Sequence, residues 1–154
     1  MNASLEPTVT LEVIARLAAD VLEAEGSSVL LLDRCRGKLV FQAATGDRSD
    51  MLIGEEFDAR LGIAGQVAST GQGVFVPQAK THPAFFRGID DKTNLTTRDL
   101  VAAPLRYRGD VIGVVEVLNR RPPGQFTERD LDLSLIHISE PTRLLSISYA
   151  VFCL

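Results

Sequence analysis

The chain has 154 residues, 45% of them hydrophobic, and a formal net charge of −4 from 16 basic and 20 acidic side chains. That length suits one domain with a sizeable core, and the mildly acidic balance leaves no electrostatic footprint for nucleic acid. Arg106, Arg108, Arg120 and Arg121 form the one basic group, which reads as the solvated end of a hairpin rather than a phosphate stripe.

Leu11, Ile14, Ala15, Ala18, Val21 and Leu22 recur at helical spacing, which predicts a first helix ended by Gly26. Ser28 to Asp33 and Lys38 to Ala44 are apolar β-type runs, joined by a turn at Arg34-Cys35-Arg36-Gly37. Gly73 to Pro77 gives a short third strand. Leu100–Arg108 and Val111–Arg120, joined across Gly109-Asp110, read as an antiparallel hairpin. Pro104 cannot donate to a ladder and marks a bulge or a gap in the pairing. Arg121-Pro122-Pro123-Gly124 is a turn, after which Thr127 caps a new helix beginning at Glu128. Five mostly antiparallel strands with a few helices make an α+β domain.

Between the third strand and the hairpin runs His82-Pro83-Ala84-Phe85-Phe86-Arg87-Gly88-Ile89-Asp90-Asp91-Lys92-Thr93, continuing to Thr97-Arg98. Thr93 and Thr97, four apart, would share one face of a helical turn, with Asp90 one turn upstream. A flat heterocycle needs a ring to lie against, and a phosphate or ribose needs hydroxyls and backbone N–H groups. The segment offers both and nothing suited to bond making; a solvated loop capping the sheet is the alternative. His82 reads as a loop residue and Cys35 as a turn residue. Within residues 1–132 they are the only histidine and cysteine, too few for a zinc site or a nucleophile–base–orienter trio. The chain is therefore read as non-enzymatic, with no metal and no cofactor.

From roughly Leu11 to Asp132 the chain resembles a GAF domain, specifically the cyclic-nucleotide-binding kind that regulates phosphodiesterases and some bacterial adenylyl cyclases. Gly62-Ile63-Ala64-Gly65-Gln66-Val67-Ala68-Ser69-Thr70-Gly71 is similar to the short helix which that family places over its pocket. His82-Pro83 through Asp90-Asp91, then Thr93, Thr97 and Arg98, follow the family's pocket lid. The signature Asn-Lys, Phe, Asp-Glu appears as Asn119-Arg120, Phe126 and Asp130-Leu131, with Arg for Lys and Leu for Glu. The resemblance implies a PAS-like sheet of about five strands in the order 2-1-5-4-3, with helices on one face and a pocket under a lid on the other. It implies a structural salt bridge between Arg120 and Asp130, and ligand contacts from Ser28, Thr45, Ile63, Ala64, Phe86, Asp90, Thr93, Thr97 and Glu116. For Glu116 the alternative is a pairing with an arginine such as Arg98. Cyclic-GMP binders of this type carry Phe-Asp where this chain has Ala44-Thr45. Guanine N1–H and N2–H suit a carboxylate, whereas Thr can donate or accept, so cyclic AMP is expected over cyclic GMP; another small ligand, or none, stays open. GAF-fold enzymes that reduce methionine sulfoxide need several redox cysteines, which residues 1–132 do not supply. The reading is a small-molecule-sensing regulatory module that forms a homodimer through its terminal helices and acts on a downstream output domain. The alternative is a dimerisation module with a degenerate pocket.

Leu133-Ser134-Leu135-Ile136-His137-Ile138-Ser139-Glu140-Pro141-Thr142-Arg143 resembles the in-frame translation of a transposase-type sequencing adapter, and residues 147–154 resemble its flow-cell end. The expected organisation is an N-terminal tail over 1–10, a GAF domain over 11–132 whose last helix is cut short, and a non-native tail over 133–154 that makes few specific contacts beyond Pro141. The apolar stretch from Leu144 is too short to span a bilayer. With no signal peptide before the first helix, a cytoplasmic location and no membrane partner are expected.

Overall fold

The computed structural model of the protein describes residues 7–46, 49–83, 96–122 and 124–131. The first helix, α1, spans Pro7–Val21. It starts four residues before the expected Leu11, with proline in the first helical position, where a missing N–H costs nothing. It ends at Val21 rather than near Gly26, because Glu23 takes a left-handed conformation (φ 53°) and turns the chain directly into a strand. Gly26 lies inside that strand, where a Cβ would stand 2.9 Å from the Thr45 carbonyl oxygen. The residue is glycine because two backbones meet there, not because a helix stops.

The strands are β1 (Ala24–Asp33), β2 (Lys38–Thr45), β3 (Glu56–Asp58), β4 (Val74–Val76), β5 (Leu100–Tyr107) and β6 (Asp110–Arg120), and the second helix, α2, is Gly62–Thr70. They form one antiparallel sheet in the order β3-β2-β1-β6-β5-β4. The five expected strands keep their expected order. The count is corrected to six by β3, which pairs with Lys38–Val40 at the outer edge of β2. Three residues are too few to display an alternation in sequence. Gly37 (φ 66°) closes the first hairpin and Gly109 (φ 86°) the second. Pro104 sits in register opposite Val114, and the bulge falls one step later, between Leu105 and Arg106.

Alternation along the strands divides the apolar residues into two cores. Val29, Leu31, Val101, Ala103, Val115 and Val117 pack with Leu11, Ile14, Ala18 and Leu22 of the α1 side. Leu30, Leu39, Phe41, Leu100, Ala102 and Val114 pack on the opposite face with Ile63, Ala64 and Val67 of α2. The helices are thus not confined to one face: α1 covers one side, and α2 shares the other with the cavities described below. After Phe126, a helical turn begins at 128–131. Its start is fixed by Asp130, whose Oδ2 accepts from the Thr127 N–H at 2.8 Å, the reciprocal half of a capping box. Among the described residues no helix is long and apolar enough to cross a membrane. The expectations for residues 1–6 and 133–154 lie outside the described residues.

Candidate functional site

Ser28 faces away from α1 because its neighbours Ser27 and Val29 face toward it. Ser27 Oγ donates to the Ala15 carbonyl oxygen of α1, and Val29 is in the α1-side core. Pairing places Ala44 and Glu116 on either side of Ser28, and Ala102 beyond Glu116. Directly paired residues share a face, so Ala44, Ser28, Glu116 and Ala102 form one row across four strands. Small residues flank the serine and the acid, leaving room above them.

That room is an inner cavity of about 60 Å³ that opens beside an outer one of about 390 Å³. Ser28, Leu52, Thr97 and Leu118 line both. Glu116 lines the inner cavity, as do Gly62, Ile63 and Ala64 at the start of α2. The residue capping that helix, Leu61, provides no side-chain hydrogen bond. The start of α2 thus lines the cavity with no side-chain cap from Leu61, and a helix N-terminus favours an anion. Phe41 and Phe57 line the same cavity, with ring centroids 6.0 Å apart at 51°. They offer a flat ligand an aromatic wall that the sequence reading did not anticipate.

The outer cavity is more polar, lined by Glu25, Ser27, Thr45, Ser49, Thr96, Asn119 and Arg121 among others, and its size lies within the ~300–1,000 Å³ usual for small-molecule sites. Thr45 Oγ1 lies 3.0 Å from Ser27 Oγ, so its hydroxyl is engaged on the α1 side of the sheet. Arg98 does not take the alternative role of partner to Glu116: its guanidinium bonds Glu25 at 2.9 Å, across the rim of the outer cavity.

Thr97 is 5% exposed and Ser28 1%. Thr97 is reached by the chain just before β5, where two buried polar residues act. Asn119, left-handed at φ 58°, accepts from the Arg98 N–H at 2.6 Å and donates to the Thr96 carbonyl oxygen at 2.9 Å. Asp99 accepts from the N–H groups of Arg120 (3.3 Å) and Phe126 (3.1 Å). Arg120 reaches Asp130 at 3.5 Å and Glu23 at 2.9 Å. On the approach to α2, Arg60 donates to both oxygens of Asp58, holding that exposed carboxyl well below the usual range. Among the described residues no group of His, Cys, Asp and Glu could hold a metal. Phe86, Asp90 and Thr93 lie outside the described residues, so the structure brings together Ser28, Ile63, Ala64, Thr97 and Glu116, with Thr45 at the outer margin.

A sequence model of the GAF domain matches residues 6–135. The chain is 34% identical over 128 residues to a probable 3',5'-cyclic phosphodiesterase, pde-5, of Caenorhabditis elegans, covering 77% of this chain and 17% of that protein. It is 36% identical over 75 residues to a cGMP-specific 3',5'-cyclic phosphodiesterase of Drosophila mojavensis, covering 47% of this chain and 7% of that one. The chain thus spans less than a fifth of the length of these relatives. Its fold is shared with the GAF domain of an Acinetobacter phosphoenolpyruvate-protein phosphotransferase, at a TM-score of 0.80 and 22% identity over 97% of this chain and 88% of that one.

Proposed function

Since the chain belongs to the GAF family, we propose that it is a regulatory, non-catalytic module that senses a small molecule, and that this molecule is a cyclic purine nucleotide. The observation that carries the reading is the convergence of Ser28, Thr97 and Glu116 on the start of α2 around one cavity. The N–H groups near Ile63 and Ala64 receive the cyclic phosphate. Ser28 and Thr97 bond ribose, phosphate or base edges, and Phe41 and Phe57 supply the apolar wall. Glu116 repels a phosphate and so meets hydroxyl or N–H groups. Phe86, Asp90 and Thr93 complete the proposed contacts. The phosphodiesterase relatives support a cyclic nucleotide as the ligand class. Adenine over guanine follows from Ala44-Thr45, which offers guanine no carboxylate; a guanine edge taken by Glu116 would reverse that order.

Calorimetric titration of the full chain with cyclic AMP and cyclic GMP tests this. Binding of cyclic AMP, with Thr97→Ala weakening it by about 0.5–1.5 kcal/mol, is the expected result. A preference for cyclic GMP that Glu116→Gln removes would leave the site and reverse the base assignment. No heat and no thermal shift with either nucleotide at millimolar concentration would favour a second reading, a dimerisation module. Exposed Val13, Leu17 and Val21, spaced four apart along α1, support that one. They are also the basis for proposing a homodimer.

A further inference from the structure

Arg98, Arg120 and Arg121 gather where β6 runs out, and their pairing differs. Arg120 reaches Glu23 at 2.9 Å and Asp130 at 3.5 Å. Arg98 reaches Glu25 at 2.9 Å. Arg121 lines the outer cavity, and among the described residues no carboxylate pairs with it. Its backbone is nonetheless fixed. The Arg121 N–H donates to the Glu23 carbonyl oxygen at 2.9 Å, and its carbonyl oxygen accepts from the Gly124 N–H at 3.0 Å. The side chain thus springs from a held root at the edge of a cavity.

The room beside it is open because its floor carries no side chains. Gly26 and Gly46 both line it, and a Cβ on Gly46 would stand 2.7 Å from the Glu25 carbonyl oxygen. At about 390 Å³ the cavity far exceeds the ~30 Å³ share of a single water, so it has space for a molecular body as well as a charged group. Hydroxyl groups from Ser49, Thr96 and Thr97 line the same space. Glu25 is the acid of this lining, and Arg98 already answers it, so Arg121 leaves the cavity with a positive charge. A guanidinium presents its N–H donors as a planar fork that matches two phosphate oxygens at once. Hydroxyl side chains, which both donate and accept, match a sugar.

We propose that the outer cavity is a subsite for a phosphorylated sugar, with Arg121 binding the phosphate. Glu25 limits the affinity, by occupying Arg98 and by repelling the anion. The proposal goes beyond the nucleotide reading and does not depend on it, because neither Glu116 nor the start of α2 takes part. Ser28, Leu52, Thr97 and Leu118 are common to both cavities, so an occupant here lies beside any ligand held at α2.

The test titrates the full chain with ribose phosphate, ribose and inorganic phosphate, read by NMR of backbone amides and arginine side-chain N–H groups. Ribose phosphate should shift the Arg121 side-chain signal and the amides of Ser49, Thr96 and Thr97 along one saturating curve. Inorganic phosphate should move the Arg121 signal only at higher concentration, and ribose alone should leave it in place. Arg121 and Glu25 are exposed, so replacing them leaves the core untouched. Arg121→Gln should weaken ribose phosphate about tenfold, and Arg121→Lys should weaken it less, because the charge stays and the fork goes. Glu25→Gln should tighten binding about two- to fivefold, the worth of one exposed ion pair. Added salt should weaken binding to the unaltered chain more than to Arg121→Gln. Equal affinity of the unaltered chain and Arg121→Gln would overturn the proposal. Shifts at Arg106 and Arg108 with none at Arg121, the pattern of general attraction to surface charge, would overturn it too. So would the lack of any saturable shift with ribose phosphate at millimolar concentration. The nucleotide reading is decided by its own titration, so either can fail alone.

Discussion

Asp99→Ala is the sharpest test of how the end of the sheet is held together. The Asp99 side chain is 7% exposed and accepts two backbone N–H groups, those of Arg120 and Phe126. A hydrogen bond to a charged group contributes about 1.5–3 kcal/mol. At 3.3 and 3.1 Å both bonds are on the long side, which places each near the low end of that range. Truncation also leaves the Phe126 N–H without that acceptor beside a ring that is 3% exposed. The expected loss is about 2–4 kcal/mol, a large part of the ~5–15 kcal/mol that holds a domain folded. For a chain of this size it corresponds to a fall in Tm of about 5–15 °C. Thermal and urea unfolding of the full chain measure it, with Asp99→Asn as the companion that keeps one acceptor oxygen and should recover part of the loss. A Tm within about 1 °C of the unaltered chain for Asp99→Ala would refute the view that these two bonds tie the 126–131 segment to the sheet.

Gly113→Ala should destabilise by about 3 kcal/mol or more, because a Cβ there would stand 2.2 Å from the Leu30 carbonyl oxygen in the centre of the sheet; unaltered urea unfolding would contradict this. Replacing residues 133–154 with a helix that continues the apolar stripe from Leu131, which packs against the α1-side core, should raise Tm and promote dimers in sedimentation. Equal values for the two chains would mean such a helix adds nothing. The lowered Asp58 carboxyl contributes stability that is present above its unfolded value and lost as pH falls below it. Its exposure makes that contribution small, so Asp58→Asn should slightly flatten the acid side of the stability profile and leave neutral pH nearly unchanged.

The hairpins were legible because their signals are local, glycine at a turn and alternation along a strand, whereas α2 came from the family resemblance. Gly26 misled because glycine after a helical stripe is the usual stop signal, whereas the stop is made by Glu23, a residue with no such preference. β3 was missed because its identity as a strand comes from Lys38–Val40 beside it. Of the site, Ser28, Ile63, Ala64, Thr97 and Glu116 came from the family resemblance, and the structure places them around one cavity. Asp99 and the two side-chain bonds of Asn119 were not visible. Their side-chain partners lie 21 to 27 residues away in the chain, and nothing in a local window distinguishes a buried polar residue with distant partners from a solvated one. The aromatic wall was invisible for the same reason: Phe41 and Phe57 meet only because β3 folds back along β2.

Both margins of the sheet are three-residue strands, β3 and β4. An exposed strand margin is a template on which another chain can add, and short margins are poor templates. Along β5 the pairing with β4 ends at Ala102. Pro104, itself buried, stands in that unpaired stretch without a donor to give, and Arg106 follows it, bound to the carbonyl oxygens of Gly71 and Gly109. A buried proline that lines neither cavity thus withholds a ladder donor along a stretch of β5 that β4 does not pair.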